Sequence, residues 1–80
     1  MRWNYRVLRQ VEDHHGQEHV FFGIHEVYYD DSGRPTTCTM EQIAPFGETL
    51  DELRADVEMI AKALELPVLD YDSIGLKEDV

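Results

Sequence analysis

Four histidines, His14, His15, His19 and His25, stand within twelve positions of one another. Imidazole is a common metal ligand, and a hairpin is able to bring several together, which would make the chain a metal-binding protein. Their spacing matches no established zinc pattern, and Cys38 is the single cysteine. His14 and His15 fall in an expected exposed loop, and adjacent residues of a strand point to opposite faces. The other reading is a solvated loop, with His25 packed in its strand or paired with a carboxylate on a neighbouring strand. Glu26 and Glu41 on expected strands, with Asp30 and Asp31 at a turn, are the residue types that hold divalent metals in nucleases. That chemistry needs several carboxylates converging in a concave site, and turn chemistry already accounts for the two aspartates. Asp70 and Asp72 share one extended segment, but two carboxylates make a poor cation site.

Cys38, between Thr37 and Thr39, has no basic sequence neighbour to activate its thiol and reads as a small buried strand residue. Neither a nucleophile elbow nor a glycine-rich phosphate loop is present. No catalytic residue is assigned, no cofactor is expected, and the chain reads as a non-enzyme.

The elements that would carry these residues follow from periodicity. Residues 3–11 alternate, with Trp3, Tyr5, Val7 and Val11 on one parity and Asn4, Arg6 and Gln10 on the other. Residues 13–17 are polar and include Gly16, a hairpin connection. Residues 19–30 are rich in aromatic and β-branched types on both parities, as in a strand covered on two faces. Asp30-Asp31-Ser32-Gly33-Arg34-Pro35 is a strong turn signal. Residues 36–43 read as a third strand, which Ala44-Pro45-Phe46-Gly47 breaks. A helix is expected over residues 50–65. Thr49 and Glu52 fit a capping box, and Leu50, Leu53, Val57, Ile60 and Leu64 recur as one apolar stripe that Ala61 widens. Glu58 precedes Lys62 by four residues, the favourable order for a helix ion pair. Pro67 ends the helix.

The expected fold class is therefore α+β: a three-stranded antiparallel sheet followed by one amphipathic helix, β-β-β-α, and a short extended C-terminal arm. Residues 1–74 form the single domain and residues 75–80 a frayed acidic tail. One helix covers one sheet face, the arm covers part of the other, and the remaining aromatic surface predicts self-association through a sheet face or an exposed edge.

Net charge is −10 over 80 residues, with residues 48–80 contributing −7 and residues 1–47 contributing −3. Direct nucleic-acid binding is disfavoured, because phosphate contacts need a basic footprint. An acidic surface suits solubility or docking to a basic protein partner. No apolar run approaches a signal-peptide core or a membrane span, and one cysteine excludes an intrachain disulfide, so a cytoplasmic protein is expected.

Gly47-Glu48-Thr49-Leu50-Asp51-Glu52-Leu53 resembles the Gly-Asp/Glu-Thr-x-x-Glu-Ala step that introduces the helix of HicB-like antitoxin domains. The order of three strands and a helix is similar too. Leu53 stands where the family often has alanine, and residues 30–35 replace its Pro-Asp-x-Pro-Gly-like segment. The resemblance implies a truncated ribonuclease-H-like fold and an oligomeric domain that binds and blocks a small basic toxin ribonuclease. Full-length members add a C-terminal DNA-binding domain that is not expected within this sequence, and transcriptional autoregulation is not among the expectations the resemblance carries.

Overall fold

The computed structural model describes residues 2–76. Two long strands, β1 (Arg2–His14) and β2 (Gln17–Tyr29), form an antiparallel hairpin paired along its whole length, from Arg2 opposite Tyr29 to His14 opposite Gln17. The connection is tighter than the loop expected over residues 13–17. Only His15 and Gly16 are unpaired, both at positive φ, 54° and 84°. That is the two-residue turn whose twist matches a hairpin, and Gly16 accepts it without steric cost. Asp13 helps close it, its carboxylate accepting from the Gly16 amide at 3.0 Å.

The third strand, β3 (Pro35–Cys38), is shorter than residues 36–43. The Thr39 amide still donates to Glu26 O and the Ile43 amide to Ile24 O. Four residues therefore advance where the partner advances two, and the excess leaves the ladder as an irregular segment. The helix α1 (Leu50–Ala63) begins where the capping box places it. The Glu52 amide donates to Thr49 Oγ1, and the Thr49 amide to Glu52 Oε2, both at 3.1 Å. It closes two residues before the expected end. The ion pair between Glu58 and Lys62 is not among those formed by the described residues, whereas Arg54 and Asp51 approach to 3.5 Å.

The chain beyond Pro67 overturns the expected three-stranded antiparallel sheet. β4 (Leu69–Asp70) pairs parallel with β1, and β5 (Gly75–Leu76) pairs parallel with β3. The sheet is mixed and five-stranded, in the order β4-β1-β2-β3-β5. Gly75 and Leu76, expected in the tail, thus belong to the sheet; the rest of that expected tail, residues 77–80, lies outside the described residues.

This topology dictates shape. In a flat sheet β4 and β5 would stand about 19 Å apart, four strand spacings. The residues between them include the 3-10 turn Tyr71–Ser73, which rises only about 2 Å per residue. They reach less far, so the sheet must curl around the arm. The enclosed core is Leu8, Val27, Cys38 and Ile74, flanked by Tyr29, Leu69 and Tyr71. Arg6 fastens the arm from the same face, donating to Pro67 O at 2.7 Å and to the Tyr29 hydroxyl at 2.9 Å.

The opposite face, carrying Tyr5, Val7, Ile24 and Phe22, meets α1. Among the inward residues of α1 are Leu53, Asp56, Ile60 and Ala63. Leu50, Val57 and Leu64, expected in the buried stripe, are instead exposed. The cause is Asp56. It accepts from the Tyr5 hydroxyl at 2.8 Å and from the Phe46 amide at 2.9 Å, so its side of the helix is turned to the sheet. No helix among the described residues is long and apolar enough to cross a membrane.

Candidate functional site

The register of the hairpin separates the four histidines. His14 and His19 lie near its tip on one face, their rings 5.4 Å apart and nearly perpendicular. Glu12, directly opposite His19, holds His14 Nε2 at 2.9 Å. His15 occupies the turn. His25 stands six residues along β2 from His19, about 20 Å at the rise of an extended strand. Among the described residues no group of three or more histidine, cysteine or carboxylate side chains is arranged to hold a metal ion.

His25 is fully buried. Its Nδ1–H donates to Thr39 O at 2.9 Å, and its ring rests against Tyr71 with centroids 5.5 Å apart. The expected carboxylate partner is thus replaced by a backbone carbonyl. Nε2 has no hydrogen-bond partner among the described residues, and it faces the gap left by the missing side chain of Gly23, where a Cβ would sit 3.5 Å from Nε2 and 3.1 Å from the Gln42 Cβ. A ring enclosed by the core and the arm offers no route to a substrate. It fixes β2 to the segment after β3.

Of the candidate carboxylates, Glu41 and Asp72 line one open cavity beside Glu12 without forming, among the described residues, a set arranged to hold a metal ion, and Glu26, Asp30 and Asp70 make separate contacts. Glu26 accepts from the Tyr28 hydroxyl at 3.1 Å on the helix side of β2. Asp30 closes its turn, accepting from the Ser32 amide, the Ser32 hydroxyl and the Arg34 amide at 2.7–3.0 Å. These donors, with the Arg34 amide foremost, hold its carboxyl below the ordinary aspartate value. Asp70 approaches Arg9 at 3.8 Å. Cys38 is sealed in the core, and burial pushes its thiol up, away from the reactive thiolate.

Two surface features were not singled out by sequence reasoning. A cavity of about 360 Å³ gathers Arg2 and Arg6 beside Asn4 and Tyr29, a basic spot on an acidic chain. Both terminal nitrogens of Arg6 are already committed, to Tyr29 and Pro67, so the guanidinium serves the fold. The second is apolar. Val7, Phe22, Ile43, Pro45, Ile60 and Leu64 line an open groove of about 330 Å³ between α1 and β2. Phe22 is 60% exposed, Leu64 71% and Leu50 62%, and Phe46 is also exposed. The signal that would have found this groove is the helical angle of Asp56, which depends on a contact with residue 5 and is invisible locally.

Comparison with protein-family models, with curated proteins and with solved structures gave no match for this chain.

Proposed function

We propose that this chain is a small, acidic, non-enzymatic interaction domain that assembles with itself and docks a basic protein. The observation that carries this reading is an uncovered apolar surface, formed by α1 and the helix side of β2, on a chain of net charge −10. Contiguous exposed apolar surface on a small domain marks an interaction site, and the acidic field steers a basic partner to it. Self-association has a separate outlet. Among the described residues, β1 pairs with β4 at Leu8 and Arg9, and β3 pairs with β2 at Val27, Tyr28 and Tyr29, so the outer part of the hairpin presents two edges that no described strand covers. The likeness to HicB-like antitoxin domains supports an antitoxin-like role. It stands on the Gly47 to Leu53 step alone, because the mixed five-stranded sheet is not the three-stranded antiparallel one the resemblance implies.

The full chain, immobilised at low salt and exposed to extract of its native cell, is expected to retain a small basic protein that elutes as salt rises. Retention of no basic protein would discard this reading. The metal-binding alternative is less favoured: His14, His19 and Glu12 meet at the tip, but no group of three or more such side chains among the described residues is arranged to hold a metal ion.

A further inference from the structure

Deepening the interaction-domain reading, on which it rests, we propose that the outward stripe of α1 is the docking site for an amphipathic helix with a basic flank. The stripe is two parallel rows. Leu50, Val57 and Leu64 recur at seven residues, a spacing that keeps them aligned along the helix with a drift of about 20° per step. All three are exposed, at 62%, 45% and 71%. Asp51, Glu58 and Glu65 follow at the next position each time, forming an exposed acidic row about 100° further round.

The apolar row is not misplaced core. The inward side of α1 is already occupied by Leu53, Asp56, Ile60 and Ala63, and the two bonds made by Asp56 fix the rotation of the helix. At its C-terminal end the row opens into the groove lined by Phe22, Ile43 and Pro45, which widens the landing surface. Leu50 to Leu64 spans about 21 Å, the length of a four-turn partner helix.

Charge decides the occupant. A second copy of α1 lying antiparallel on this stripe would set the two acidic rows on the same side, and in either direction each copy adds a net −10. Arg54 lies between the rows but approaches Asp51 at 3.5 Å, and Arg9, the cross-strand neighbour of Phe22, approaches Asp70 at 3.8 Å. A helix that sets lysine or arginine beside its apolar seam supplies the charge this surface lacks.

The probe is a labelled synthetic helix of about 18 residues, with a leucine seam flanked by lysine, compared with the same seam flanked by glutamate. Anisotropy with the full chain is expected to show binding of the lysine peptide alone, with amide shifts on α1 and at Phe22. Val57→Asp and Leu64→Asp should each weaken it roughly tenfold. Val57 is exposed in mid-helix, so the melting temperature of Val57→Asp should hold, whereas Leu64→Asp, at the negative end of α1, should lower it slightly. The double variant Glu58→Lys, Glu65→Lys should weaken binding and flatten its salt dependence. Absence of binding by the lysine peptide, or binding with shifts elsewhere and indifference to Val57→Asp, would overturn this site. Retention of a basic protein from extract by both wild type and Val57→Asp would overturn it while leaving the broader reading intact. A wild-type dimer that Val57→Asp dissociates in sedimentation would assign the stripe to a second copy, also overturning it.

Discussion

Asp56 is the side chain on which three parts of the chain meet. It sits on α1, accepts from Tyr5 on β1 and from the Phe46 amide ahead of the helix, and thereby sets which side of α1 faces inward. Tyr5 records the same contact. Burial, then the hydrogen bond to Asp56 and its charge, push the phenol up to about 12 from 10.0. A raised native value means that Tyr5 contributes stability fully present below pH 10 and lost as pH rises from 10 toward 12. The difference between the phenolate titrations of wild type and Tyr5→Phe should place the Tyr5 step near pH 12, and Asp56→Asn should bring that step down; a difference step near 10 would contradict the contact. Thr49 is a simpler case. Thr49→Ala removes the acceptor for the Glu52 amide and should cost about 1 kcal/mol in urea unfolding. Gly47 sits so close to the first turn that a Cβ there would overlap the Leu53 amide nitrogen and lie 2.7 Å from the Glu52 carbonyl carbon. The glycine of the Gly-Glu-Thr step is thus explained by close approach of backbone.

Among the elements, the C-terminal arm carries more of the fold than its length suggests. Ile74 is buried against Leu8, Val27 and Cys38, and the arm ties the two edges of the sheet together through β4 and β5. Ile74→Ala should therefore cost about 2–5 kcal/mol in urea unfolding. Val20→Ala, on the half-exposed helix side of the hairpin, should cost far less; equal costs would argue against the curled sheet. The contrast shows what the sequence makes legible. The long strands, the turn at Gly33 and the cap at Thr49 are written in neighbouring residues, and each forms near its expected place. The two strands of the arm have two residues each and exist only because distant edges accept them, so periodicity carries no trace of them. The helix lies between these cases. Its existence is local, but its rotation is set by Tyr5, so the apolar stripe is recognised while Leu50, Val57 and Leu64 are assigned to the wrong side. The histidines obey the same logic: β-strand parity and the two-residue turn, both properties of register, place His25 in the core and leave His14 and His19 at the tip.

At the scale of the whole molecule, charge and apolar surface act with opposite signs, and salt separates them. Two copies, each at −10, repel as they approach, and that repulsion is screened as ionic strength rises. A basic partner is attracted by the same field, and screening weakens that attraction. Self-association through the outer hairpin edges relies on backbone hydrogen bonds, which salt of this strength leaves largely intact. Sedimentation of the full chain at micromolar concentration is therefore expected to show a larger associated fraction at about 0.5 M salt than at about 0.02 M, where the Debye length exceeds about 20 Å. Capture of a basic protein should move the other way over the same range. The two trends rest on different surfaces, so one is able to fail without the other. A monomer at every salt concentration would remove self-association and leave the docking stripe of α1 untouched. Association that weakens with salt would mean that oppositely charged patches, rather than strand edges, hold the copies together, with the Arg2 and Arg6 cavity the first place to look for the basic half of such a contact.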